Sequence, residues 1–139
     1  MIAESFLDTN ILFYAALGRE EEEAKRTRAK DLLASEKFGV SAQVLQEFYV
    51  NVTRKTDLPL SPARAMEWLE QLDEFPCVPI DRSLVKVAAE IAARFRISYW
   101  DAALVAAAEV LGAQTLYTEG LNHNQMYGSV RVVNPFRNN

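Results

Sequence analysis

Short apolar runs of three or four residues recur along this chain, separated by longer stretches with helical spacing. Ser5 to Leu7, Phe38 to Val40, Val78 to Ile80, Thr115 to Thr118 and Val130 to Val133 read as five strands. Between them lie helical segments: Ile11 to Ala16, Arg19 to Glu36, Ala42 to Arg54, a segment from Ser61-Pro62 to about Glu74, Asp81 to Phe95, and a last one capped by Ser98 and stopped by Gly112. Proline and glycine fall at element ends, and neither repeats nor linkers interrupt the pattern. Strands alternating with helices bury both faces of a parallel sheet. The expected fold is therefore α/β, a central, mostly parallel five-stranded sheet flanked by helices, as one domain over 1–139.

The helix signals are specific. Ser41, Ser61, Asp81 and Ser98 stand where caps are needed, and Pro62 suits a first turn. In Arg19 to Glu36 the acids precede the bases, which suits the helix dipole and predicts Glu21–Lys25 and Glu22–Arg26 pairs at i,i+4. The longest apolar run, Ala102 to Ala108, is far below the ~20 residues of a membrane span. No basic region followed by a long apolar stretch opens the chain, so no signal peptide is expected. A single cysteine, Cys77, excludes an internal disulfide, reads as a small buried hydrophobe and suits the cytoplasm. The net charge of −4 argues against a bulk electrostatic nucleic-acid binder, although clustered metal-binding acids lower net charge by themselves.

Three carboxylates are out of place for a purely structural reading. Asp8 ends the first strand, where ligands gather in open parallel sheets; it also suits a cap for the following helix. Glu47 lies on a polar stripe with Gln43 and Asn51, beside the packed face formed by Val44, Phe48 and Val52. For an isolated glutamate a solvated stripe is the favoured reading, and the position after the second strand keeps the functional one open. Asp101 heads the apolar stripe Leu104, Val105, Ala108 in the first turn of its helix, where the dipole favours an anion. Ser98-x-x-Asp101 also has capping-box spacing. Acids converging from distant parts of a chain repel unless a divalent cation stands among them, which points to a magnesium-type site and phosphate chemistry. Thr118-Glu119-Gly120 adds a hydroxyl and an acid after the fourth strand. His123 is the only histidine and reads as a surface residue, so zinc is disfavoured. Serine-hydrolase and phosphate-loop motifs are absent from the sequence.

The runs Phe6-Leu7-Asp8-Thr9-Asn10-Ile11-Leu12, Ser41-Ala42-Gln43-Val44-Leu45-Gln46-Glu47-Phe48, Ile97-Ser98-Tyr99-Trp100-Asp101-Ala102-Ala103, Leu116-Tyr117-Thr118-Glu119 and Val133-Asn134-Pro135-Phe136 occur in that order. Together they resemble the PIN-domain ribonucleases, in particular the VapC-type toxins of VapBC toxin–antitoxin pairs. The resemblance implies an Mg²⁺- or Mn²⁺-dependent endoribonuclease leaving 5′-phosphate and 3′-hydroxyl ends. It implies Asp8, Glu47 and Asp101 as the acidic site, supported by Thr9, Asn10 and Thr118, with Glu119 a weaker candidate ligand. It also implies RNA as substrate, a small antitoxin as partner and a homodimer, with the helices from Arg19 and from Pro62 bounding the groove that takes the antitoxin. The family often has a fourth acid two residues after the late Thr; here that position is Gly120. The departure keeps a rival open, a catalytically weak module that binds RNA or protein. A phosphoaspartate receiver is disfavoured, because Asp8 has no adjacent acid and no lysine follows the fourth strand. Candidate phosphate contacts are Arg54, Lys55, Arg94 and Arg96, although for any single one an ordinary surface charge is the favoured reading.

Overall fold

The computed structural model describes residues 2–137. Its strands are β1 (Ser5–Leu7), β2 (Phe38–Ser41), β3 (Cys77–Val78), β4 (Thr115–Tyr117), β5 (Met126–Tyr127) and β6 (Val130–Val133). Its helices are α1 (Thr9–Leu17), α2 (Glu23–Ser35), α3 (Ala42–Arg54), α4 (Pro62–Gln71), α5 (Arg82–Phe95) and α6 (Tyr99–Val110). The strands form one sheet in the order β3-β2-β1-β4-β6-β5, parallel except for β5. Every residue of β1 and β2 is buried, as expected where helices cover both faces.

The sheet thus has six strands rather than the expected five. The extra strand, β5, is two residues long and returns on β6 through Gly128-Ser129, with Gly128 at φ 62°. A two-residue hairpin turn requires that left-handed backbone, which glycine adopts without Cβ strain. The third strand lies at Cys77–Val78, slightly earlier than its apolar run suggested, because Pro79 cannot donate to a ladder. The four predicted caps all form: Ser41, Ser61, Asp81 and Ser98 accept the backbone N–H of Val44, Arg64, Leu84 and Asp101.

The long charged segment is not one helix. A 3₁₀ turn at Glu20–Glu22 precedes α2, so Glu21 and Glu22 stand outside it. The predicted i,i+4 pairs do not form: Lys25 turns to Glu119, and Arg19 takes Glu21 and Asp57. Likewise α4 stops at Gln71 and a 3₁₀ turn carries the chain to Glu74.

Helix α6 is the centre of the packing. Ala102 through Ala108 are buried on every side, and α5 lies along it. Small side chains let its neighbours approach closely. Gly39 serves the same end in β2. A Cβ there would stand 2.5 Å from Leu111 Cδ1 and 3.1 Å from the Pro76 carbonyl oxygen.

Candidate active site

Strand β1 lies between β2 and β4, so the chain reverses its direction of travel across the sheet between β1 and β4. A crevice opens at the carboxyl ends of strands at such a switch point. Asp8 is the first residue beyond β1, and its N–H donates to the Tyr117 carbonyl at 3.1 Å, extending the pairing by one residue. Thr118 is the first residue beyond β4. Its buried hydroxyl donates to Asp8 Oδ2 at 2.7 Å and accepts the Gly120 N–H at 3.0 Å. Asp8 Oδ1 accepts the Thr9 N–H at 2.6 Å, so it also caps α1. The Asn10 side-chain amide is 3.5 Å from Asp8 Oδ2. The capping and site readings of Asp8 are therefore compatible.

Glu47 is brought in by α3. Its carboxylate accepts from Thr9 Oγ1 at 3.3 Å and is otherwise exposed. Gln43, one turn earlier, donates to the Trp100 carbonyl at 3.3 Å. That bond ties the start of α3 to the first turn of α6, where Asp101 is partly buried. Asp8 feels the other two acids. Burial is the main cause that raises the Asp8 carboxyl above the usual carboxylate range, and the charges of Glu47 and Asp101 add to the rise. The bonds from Thr118 and the Thr9 N–H work in the opposite sense.

Asp8, Asn10, Phe13, Tyr14, Glu22, Glu47, Asn51 and Lys55 are among the residues lining a groove of about 500 Å³; Asp101 is not one of them. Helix α4 contributes nothing to that lining. Of the four candidate phosphate contacts, only Lys55 lines the groove. Arg94 lies over the Phe95 ring, and Arg96 ends α5 in the left-handed region at φ 54°.

Glu119 is committed elsewhere. It accepts from the Tyr14 hydroxyl at 2.6 Å and pairs with Lys25 Nζ at 3.1 Å. Lys25 in turn lies 4.8 Å from the Tyr14 ring centroid and 5.6 Å from that of Phe136. This brace joins α1, α2 and the segment after β4. The sequence pattern paired Lys25 with Glu21 instead and gave Tyr14 no role; the one trace was that Tyr14 follows Asn10 by four residues, on the same face of α1. His123 holds a loop, its Nδ1 accepting the Asn134 N–H at 3.0 Å. Cys77 is half-buried, with its thiol pushed up by burial and by nearby Asp73.

Does this set of residues fit a divalent cation? The donors are all hard oxygens, which suit Mg²⁺ or Mn²⁺. Asn10 Oδ1 is buried with no hydrogen-bond partner, an acceptor free for a cation or its water. Among the described residues no three Asp, Glu, His or Cys side chains form a ready metal cage. An open, incompletely protein-ligated site is the kind that Mg²⁺ takes, because it keeps several of its waters.

A model of the PIN domain family matches residues 5–128. The chain belongs to the PIN domain family. No curated protein matches it. Several solved structures resemble this PIN domain in fold. One is VapC20 of Mycobacterium tuberculosis, described as a sarcin-ricin loop cleaving toxin: 22% identity, TM-score 0.70, covering 91% of this chain and 98% of the other. A toxin–antitoxin complex from Klebsiella pneumoniae gives 20% identity and TM-score 0.69, covering 94% and 97%. DNA-bound VapBC from Salmonella typhimurium gives 18% and 0.64, covering 95% and 97%. At these identities the likeness concerns the PIN fold alone.

Proposed function

We propose that this PIN domain is an Mg²⁺- or Mn²⁺-dependent endoribonuclease, the VapC-type toxin of a toxin–antitoxin pair. The observation that carries the reading is the Asp8 carboxylate. It is held by Thr118 at the sheet's switch point, on a groove shared with Glu47, and its pKa is raised by burial and by the charges of Glu47 and Asp101. Such an arrangement is unfavourable without a cation and becomes favourable with one.

Asp8 and Asp101 would hold the ion, directly or through water, with Asn10 Oδ1 as a neutral donor. When bound, the ion would lower the pKa of a water and offset charge on the phosphate. Thr118 and the Thr9 N–H keep Asp8 oriented. Glu47, steered by Thr9 Oγ1, would orient the attacking water and accept its proton. Products with 5′-phosphate and 3′-hydroxyl ends are those the family resemblance implies. An unpaired RNA segment suits so open a groove, because loops expose their backbone. The names of the similar structures, a sarcin-ricin loop cleaving toxin and toxin–antitoxin complexes, support an antitoxin partner. A homodimer acting in the cytoplasm completes the proposal.

The test is cleavage of a structured RNA by purified protein with Mn²⁺. Asp8→Asn and Asp101→Asn should each lose nearly all activity while staying folded. Full cleavage by both variants overturns the assignment. One observation favours a second reading, a weak binding module: Gly120 offers no fourth carboxylate and Glu119 is engaged by Lys25. Calorimetry separates the two, since no uptake of millimolar Mg²⁺ or Mn²⁺ supports the module.

A further inference from the structure

The groove has two ends of opposite character. Asp8 and Glu47 mark one end, and Lys55, at the far end of α3, marks the other. Glu47, Asn51 and Lys55 succeed one another at i,i+4 along a single helix face, and all three line the groove. Glu47 and Lys55, the C-cap residue of α3, are eight positions apart, about 12 Å along the axis. Lys55 is exposed and has no salt-bridge partner among the described residues. The partly buried ring of Phe13 also lines the groove. The neighbouring Tyr14 is not free in the same way, being held by Glu119, Lys25 and the ring of Phe136, 5.1 Å away.

We infer that this half of the groove is a subsite for an unpaired nucleotide flanking the scissile phosphate. Phe13 supplies the face on which its base stacks, and Lys55, assisted by the Asn51 amide, holds a backbone phosphate. An aromatic face beside a lone cation is the composition of single-strand sites, where stacking is sequence-tolerant and the backbone contact is electrostatic. The remaining lining fits this assignment. With Asp8, Glu22 and Glu47 around it, the groove repels polyanions everywhere except at Lys55 and at a bound cation. A strand therefore has one register in which its phosphates meet both positive positions. A duplex cannot place a base on Phe13 without unpairing it, so the subsite selects loops and single strands.

The inference rests on the nuclease reading, and binding measurements separate the two. The probe is a fluorescein-labelled, unpaired RNA of about ten nucleotides. It is titrated into Asp101→Asn protein with Mg²⁺ across a salt series. Against that background, Lys55→Ala should weaken binding severalfold and flatten the slope of log K on log salt by about 0.7, the share of one single-strand phosphate contact. Lys55→Arg should restore both. Phe13→Leu, which keeps an apolar side chain but loses the π face, should weaken binding about tenfold, whereas Phe13→Tyr should not. An equal loss in Leu and Tyr variants would mark Phe13 as a packing residue and overturn its part. Unchanged slope and affinity in Lys55→Ala, or no RNA binding because the groove takes only a protein segment, would overturn the subsite. In either case cleavage by wild type, lost in Asp8→Asn, would leave the nuclease reading standing. No cleavage by wild type, with Lys55- and Phe13-dependent RNA binding intact, would remove the nuclease and keep the subsite.

Discussion

Replacing Thr118 by valine removes one hydroxyl and little else, and the structure sets the size of the effect. The side chain is 1% exposed and its hydroxyl donates to Asp8 Oδ2 at 2.7 Å. A hydrogen bond to a charged group contributes about 1.5–3 kcal/mol net. The same hydroxyl accepts the Gly120 N–H, but Gly120 is exposed and water replaces that bond at little cost. The extra buried methyl of valine offsets about 0.8 kcal/mol. The expected net loss at neutral pH is about 1–2 kcal/mol, a fall in Tm of roughly 3–10 °C for a chain of this size. The loss should depend on pH with a definite sign. Burial raises the folded Asp8 carboxyl above its ordinary 3.8, and the Thr118 bond limits that rise. A group raised in this way stabilises the fold below its unfolded value and loses that contribution as pH increases through its folded value. Without Thr118 the folded value moves further up, so the variant's deficit grows as pH rises through the wild-type folded Asp8 value, above 3.8, and is complete once Asp8 is ionised in the folded variant as well. Urea unfolding at pH 7 and in mild acid measures the deficit, and ¹³C-carboxyl NMR tracks Asp8 itself. A deficit independent of pH, together with an Asp8 titration the same as in wild type, would refute the reasoning.

Three further outcomes are expected. Saturating Mn²⁺ should raise the Tm at pH 7, with about 2.7 kcal/mol of stabilisation at a hundred times Kd; the gain should shrink as protons compete for Asp8 at lower pH and vanish in Asp8→Asn, as measured by differential scanning calorimetry. Glu119→Gln keeps an acceptor for the Tyr14 hydroxyl but unpairs Lys25; a stability loss below about 1 kcal/mol with unaltered calorimetric metal affinity is expected, and a tenfold weaker affinity would make Glu119 a ligand. Gly39→Ala should destabilise by about 1–3 kcal/mol in urea unfolding, because its Cβ meets fully buried Leu111 at 2.5 Å, while metal binding in the surviving fold stays the same.

The sequence disclosed those parts of the molecule governed by local rules. Cap residues ahead of helical spacing placed four helix starts, and alternating short apolar runs placed the parallel strands. Asp8, Glu47 and Asp101 were legible as misfits: a charge ending a strand, a charge beside a packed stripe, a charge heading an apolar helix. The features that escaped depend on contacts remote in the chain. Lys25 had a local partner in Glu21 by spacing, yet it takes Glu119, 94 residues away, because the 3₁₀ turn leaves Glu21 outside the helix. The same contact withdraws Glu119 from the acidic end of the groove, which no spacing rule could announce. Strand β5 escaped for another reason, since two residues are too few to display an alternation.

The seat of Asp101 has a consequence for how this protein fails. Its carboxylate projects from the tip of α6, whose next seven residues are walled in on all sides. Helices seated so deeply exchange their amide protons only when the entire molecule opens. The acid at that tip therefore has no separate melting of its own. Heat should extinguish its contribution in the same transition that scatters the whole chain, with no softened, half-competent species in between.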